Sequence, residues 1–222
     1  MSRDYPTVVI YGTGEYAKAV FEILSLRDVP VAGFLDPDPS RRNTLFLSRP
    51  VLGSEVAILS GAITFHAAVI AVENPPARAR IAETFRTAGI PLFSAIHPHA
   101  VISPSARLEA GCVVLPGVIV GPEAEVDEGA ALHAGVILET GAHIGAFCTL
   151  APAAVIGPGA SVADRSFIGA RATVMEKCAV GSHVMVGAHS LVLTDLPDHV
   201  LAYGTPAQVT DSWPERGKLQ SL

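Results

Sequence analysis

Residues 136–159 read VILETG AHIGAF CTLAPA AVIGPG, and this rhythm of six decides the fold. Its third place is aliphatic each time, at Leu138, Ile144, Leu150 and Ile156. The frame extends from Ala100 to Asp195 with no insertion or deletion, through Ile102, Val114, Val126 and Leu132 on one side and Val162, Ile168, Val180 and Val192 on the other. The first place is always small or Val, as at Cys112, Ala130, Cys148 and Ala154, and Gly recurs at the fourth. A period of six matches neither the α-helix nor simple strand alternation, and repeats of this length build β-helices. Each hexad then covers one flat face of a prism. The aliphatic residue fills the axis, the small residue lets coils approach, and Gly or a short polar residue turns the corner. Three hexads close a coil, so residues eighteen apart stack at ~4.8 Å.

Length and composition set the limits around this element. A chain of 222 residues holds one or two domains and buries a real core. Half of it is hydrophobic and 16% is charged, with 20 Gly and 17 Pro, which is the composition of a compact, turn-rich protein. The formal charge of −6 and the lack of a basic run argue against nucleic acid as a partner. No apolar stretch is long enough for a membrane span, and the opening MSRDYPTVVIYG runs straight into a glycine loop instead of forming a signal peptide. A cytoplasmic protein is expected. Cys112, Cys148 and Cys178 have no metal-ligand spacing and occupy small first places, so they read as buried packing residues.

Ahead of the repeats, residues 7–11 (TVVIY) form a buried strand that runs into Gly12-Thr13-Gly14-Glu15-Tyr16-Ala17 and an amphipathic helix to about Arg27. A second strand, Val31 to Leu35, ends in Asp36. This βαβ opening turns backbone N–H groups and a helix N-terminus toward a phosphate, and it also fits a dinucleotide fingerprint or a plain glycine-requiring turn. Fewer than a hundred residues precede the hexads, enough for one mononucleotide half only. Nicotinamide chemistry is therefore the weaker reading. Residues 37–50 read as a loop, Ala68 to Val72 as a strand ending in Glu73-Asn74, Pro76 to Ala88 as a helix and Pro91 to Ile96 as a last strand. The expected architecture is an α/β domain over 1–96, half-Rossmann-like, followed by an all-β domain over 97–222.

The hexads, the exit segment LTDLPDHVLAYGTPAQV and the N-terminal βαβ unit together resemble the hexapeptide-repeat sugar O- and N-acyltransferases. That family includes sialic acid O-acetyltransferases and bacterial UDP-4-amino-sugar N-acetyltransferases. The resemblance implies a left-handed β-helix, a homotrimer, and acetyl-CoA as the acyl donor to an amino or hydroxyl group of a nucleotide sugar. It implies contacts to a UDP-sugar acceptor at Gly12, Thr13, Gly14, Asp36, Glu73 and Asn74, although the family commonly carries glycine where Glu73 stands. It implies pantetheine contacts at Ala154, Gly157, Gly169, Ala170, Gly187 and Ala188.

The resemblance breaks at the base. Acyl transfer needs the acceptor deprotonated as it attacks, and a histidine held by a carboxylate does that near neutral pH. The segment that carries this histidine in the relatives is Leu138-Glu139-Thr140-Gly141 here, and a second family histidine falls on Thr149. Candidate replacements are His133, at an outward fourth place, and His143, with Glu139 as the nearby carboxylate. The alternative is a catalytically silent member that binds a nucleotide sugar as a scaffold. His183 and His189, near Arg165 and Arg171, read as a polar face. His97-Pro98-His99 reads as a linker into the repeats.

Overall fold

The computed structural model describes residues 5–54 and 65–212. Its N-terminal sheet runs in the order Leu45–Phe46, Arg49–Gly53, Val31–Leu35, Val8–Tyr11, Ala67–Ile70. All neighbours are parallel except Leu45–Phe46 and Arg49–Gly53, which form an antiparallel hairpin at one edge. The helix Glu15–Leu26 covers this sheet with Tyr16, Ala17, Val20, Ile23 and Leu24, and the helix Pro75–Thr87 packs Ile81, Ala82 and Phe85.

Two local expectations change. Within residues 37–50 lie a 3-10 turn, Pro39–Arg41, and the hairpin, pinned where the Phe46 ring meets Phe34 edge-on at 4.9 Å. The strand expected over 91–96 is divided: Leu92 bridges Ala68 of the N-terminal sheet, whereas Ala95–Ile96 already pairs with Val113–Val114 of the repeats. One short segment thus belongs to both sheets and ties the two units together.

From there the chain is a parallel β-helix whose register is eighteen residues, as in Ile119↔Ile137↔Val155↔Thr173↔Leu191. Third-place residues such as Leu132, Leu138, Ile144 and Ile156 are fully buried, and first-place Cys112, Ala130, Cys148 and Ala154 share that core. Burial raises the Cys112 and Cys148 thiols to about 12, so both are inert packing groups. Fourth-place glycines are there for closeness of approach: a Cβ on Gly157 would stand 2.7 Å from the Glu176 amide of the next coil. The left-handed turn falls at the sixth place, shared by Gly117, Gly135 and Gly141 with Phe147, Arg165 and His183.

The three faces differ in what covers them. The face holding Val113, Ala131 and Thr149 lies under the N-terminal unit. The face of Val101, Ile119, Ile137, Val155, Thr173 and Leu191 points an apolar column outward, with Val101 65% and Ile119 44% exposed. The third presents Arg107, Glu125, His143 and Ser161. Val113, Val118 and Val136 are buried: the first under the N-terminal unit, the other two at first places in the axis.

Candidate active site

The adjacent strands Val31–Leu35, Val8–Tyr11 and Ala67–Ile70 deliver Asp36, Tyr11 and Ala71 to one end of the sheet, where a cleft of about 390 Å³ opens. Gly12, Thr13, Gly14, Pro37, Val72 and Arg80 complete it. Binding at the carboxyl ends of parallel strands is the general arrangement in open α/β sheets. Gly12 is obligatory for the backbone: its φ is +114°, and a Cβ there would lie 2.6 Å from the Ala71 carbonyl oxygen. Gly14 is different. It caps the first helix with ordinary extended backbone, and a Cβ on it would meet nothing within 4 Å, because it faces the open cleft. The Thr13 hydroxyl donates to Asp36 Oδ2, and Asp36 Oδ1 accepts from the Asp38 amide at 2.9 Å. Five of the six residues expected around the substrate therefore meet in adjoining clefts, and the sixth, Asn74, does so as a helix cap, its side chain accepting from the Ala77 amide at 2.9 Å.

Val72 also lines a second cleft, of about 480 Å³, with Glu73, Asn74, Pro75 and Phe167 of the β-helix. Glu73 stands where the two units meet, and its peptide is clamped. Its carbonyl accepts from Arg78 Nη1 at 3.0 Å and from the Thr149 hydroxyl at 2.9 Å.

Arg78 is the residue that sequence reading missed. Its guanidinium is 1% exposed and donates to the carbonyls of Gly129, Val72, Glu73, Phe147 and Cys148 and to Thr149 Oγ1, at 2.7 to 3.0 Å. The signal was present: Arg78, Ile81, Ala82 and Phe85 are spaced i, i+3, i+4, i+7 and share the buried face of one helix.

The histidines separate. His133 sits at the corner after Ala131–Leu132, and it is 9% exposed instead of outward in solvent, because the Tyr16 ring stacks on it at 5.1 Å. Among the described residues its Nε2 has no hydrogen-bond partner, and it lies 3.8 Å from Glu73 Oε1. Burial, with Arg78 nearby, lowers its pKa to about 4, so the imidazole is neutral at physiological pH. Burial likewise raises the Tyr16 phenol, whose hydroxyl also lacks a partner among the described residues. His143 lies on another face, exposed, with Nε2 3.1 Å from Asp127 Oδ2. Glu139 and Thr140 are exposed at the corner between the Ile137 and His143 faces, so Glu139 makes no pair with either histidine. His97 accepts from the His99 amide at 3.0 Å, a linker contact. His183 stacks on His199 beside Arg80, Arg86 and Arg165, apart from these clefts.

A consequence for stability follows. An imidazole held below its unfolded pKa of about 6.5 takes up a proton on unfolding, so its contribution is complete above about pH 6.5 and is lost as pH falls toward 4. The loss is on the order of 3 kcal/mol at most. Melting temperature measured from pH 7.5 downward should fall less steeply in His133→Gln than in the parent; parallel curves would show that His133 does not titrate on unfolding.

Ala154 is a core residue, and the Cβ-free sides of Gly157 and Gly169 are closed by the next coil. A Cβ on Gly187 would strike the Tyr203 ring. Ala170 and Ala188 keep surface access.

Comparison with known proteins joins these parts. GDP-perosamine N-acetyltransferase from Caulobacter crescentus, solved as two single-histidine variants with CoA and GDP-perosamine, is 35% identical over 93% of this chain and 97% of its own, with a TM-score of 0.88. PerB from the same organism, in complex with CoA and GDP-perosamine at 1.0 Å resolution, is 35% identical over 92% of this chain, with a TM-score of 0.87. The chain belongs to the hexapeptide-repeat sugar acetyltransferase family. Residues 7–85 match the PglD N-terminal domain. The acetyltransferase domain of PglB from Neisseria gonorrhoeae shares the fold at 24% identity and a TM-score of 0.85. A 42-residue stretch is 45% identical to dTDP-3-amino-3,6-dideoxy-alpha-D-galactopyranose 3-N-acetyltransferase from Aneurinibacillus thermoaerophilus, and it spans only 22% of that enzyme.

Proposed function

We propose that the protein transfers an acyl group, most simply acetyl, from coenzyme A to an amino group on a nucleotide-linked sugar. The observation that carries this reading is the continuity of the two clefts through Val72. One has the glycine loop and Asp36, suited to a nucleotide diphosphate; the other has Glu73 against the β-helix, where a sugar attached to that diphosphate would project. The relative from Caulobacter, which binds CoA and GDP-perosamine, supports both halves. Coenzyme A would supply the activated thioester. Ala170 and Ala188 would border its pantetheine arm, whereas Gly157, Gly169 and Gly187 shape the wall by packing.

For the proton, two carboxylate–histidine pairs stand in for the family base: Glu73 with His133, and Asp127 with His143. Thr140 has no basic group, and Thr149 is committed to Arg78 and Glu73. Replacing His133 and His143 singly with Ala and following CoA release decides between them: the pair in use loses roughly 10²- to 10⁴-fold. Absence of turnover in the parent, with partial recovery in Thr140→His, would favour the silent scaffold that the two threonines suggest.

A homotrimer is part of the proposal. The outward column of Val101, Ile119, Ile137, Val155 and Leu191 is apolar surface that cyclic association would cover, and Thr140 and Glu139 border its edge. Light scattering is expected to give three times the 23.0 kDa chain mass; a monomer at micromolar concentration would remove any site between subunits. Among the described residues, no helix is long and apolar enough to cross a membrane. Three buried free thiols suit a reducing compartment and support a cytoplasmic setting.

A further inference from the structure

We propose that the Glu73 carboxylate is the group that meets the acceptor's amino group, and that the His133 Nε2–H holds it there. This rests on the acyl-transfer reading and deepens it, because it names the residue that selects an amine over a hydroxyl.

Four observations converge on Glu73. Val72, Glu73, Asn74, Pro75 and Phe167 line the inner cleft, and Glu73 is the ionisable residue among them. Its backbone is immobilised by Arg78 and Thr149, so the side chain projects from a fixed point while remaining 61% exposed to the cleft. Behind it, His133 is more than nine-tenths buried with Nε2 unpartnered, and the Glu73 carboxylate oxygen 3.8 Å away completes that hydrogen bond after a small side-chain adjustment. The Tyr16 ring, stacked on the imidazole, fixes its plane and closes it from water.

The charged and titratable groups around His133 are Glu73, Arg78 and Tyr16. Burial, helped by Arg78, keeps the imidazole neutral, and a neutral imidazole with its proton on Nε2 donates to a carboxylate without cancelling its charge. Glu73 therefore keeps its negative charge for a cationic or hydrogen-donating ligand group. An amino group fits as an ammonium on arrival and as a donor once it has lost a proton to solvent. A hydroxyl offers one proton and no charge. In the transfer step the amine nitrogen forms a bond to the thioester carbonyl carbon and the carbon–sulfur bond breaks. The proton leaving nitrogen passes to Glu73 and then to the departing thiolate, giving an amide and free CoA. Glu73 is thus a catalytic residue and His133 a positioning residue.

The test measures binding by calorimetry of two ligands, a nucleotide-linked amino sugar and the counterpart with hydroxyl in place of the amine, each offered as the GDP, UDP and dTDP form. The parent should bind the amino form about ten- to a hundredfold more tightly, as expected for a charge-assisted contact. Glu73→Gln should bind both forms equally, with affinity for the hydroxy form unchanged, and its turnover should fall roughly 10²- to 10⁴-fold. His133→Ala should reduce the discrimination while leaving affinity for the hydroxy form unchanged; a merely structural role would weaken both ligands together. Discrimination retained in Glu73→Gln overturns the assignment and leaves the acyl-transfer reading standing. Binding of neither form by the parent overturns both.

Discussion

Gly14→Val should abolish nucleotide binding and leave the fold intact. The backbone there has φ −81° and ψ −174°, extended geometry that Val adopts readily, and a Cβ meets no protein atom within 4 Å. The space it fills belongs to the cleft, where a diphosphate would approach the N–H groups that open the first helix. Each such charge-assisted bond is worth roughly 1.5–3 kcal/mol, so the loss of two lowers affinity by about 10²-fold or more. Calorimetry should show no heat with a nucleotide diphosphate, while circular dichroism and mass in solution match the parent. Gly12→Val is the informative contrast: with φ at +114° and Ala71 in the way, it should destabilise the domain itself. A Gly14→Val protein that binds as the parent does would move the nucleotide site elsewhere.

Arg78→Met should produce the largest loss of stability of any single replacement at the junction. It removes a buried cation without leaving an unpaired counter-charge, but it takes the donor from the Gly129, Val72 and Phe147 carbonyls and one of two partners from the Glu73 and Cys148 carbonyls and the Thr149 hydroxyl. A penalty of at least about 3 kcal/mol is expected. In a chain of this size that corresponds to a fall in melting temperature of roughly 6 to 12 °C. The control is Arg80→Met, two residues along and exposed, which should stay within about 0.5 kcal/mol of the parent. Equal melting of the two variants would show that Arg78 does not join the units. Since Arg78 also holds the Glu73 carbonyl, acyl transfer in Arg78→Met should suffer even below its melting point.

What could be read from sequence followed the range of each interaction. The β-helix was legible because every coil repeats the same local demand, an aliphatic residue inward and a small one beside it, and Leu138 or Ile156 answers it without reference to the rest of the chain. The cleft lined by the glycine loop was legible for the same reason: Gly12, Gly14 and Asp36 lie at consecutive strand ends of one βαβ unit. Residues at the junction were not. His133 holds an outward place in its hexad, and only Tyr16, more than a hundred positions earlier, makes it a buried group. Val113 is turned inward by the same covering surface. Glu73 looked like a departure at the wall of a sugar site, and the contacts that give it a role come from Arg78, Thr149 and His133, which no local pattern connects. The pair of Asp127 and His143 was closer to view, since the eighteen-residue register sets Glu125 against His143 and leaves Asp127 two residues along.

A sugar nucleotide held at Gly12–Gly14 is proposed to present its amino group to the wall formed by Glu73 and the β-helix, where acetyl would be delivered. The most direct measurement incubates the purified protein with acetyl-CoA and a set of GDP-, UDP- and dTDP-linked amino sugars, and follows free thiol together with the mass of the sugar nucleotide. The account predicts that one of these sugars gains a single acetyl group as an amide, with one CoA released for each product formed and both signals lost in Gly14→Val. Acetylation of a free sugar that proceeds equally well in Gly14→Val, or CoA release without an acetylated nucleotide sugar, would contradict it.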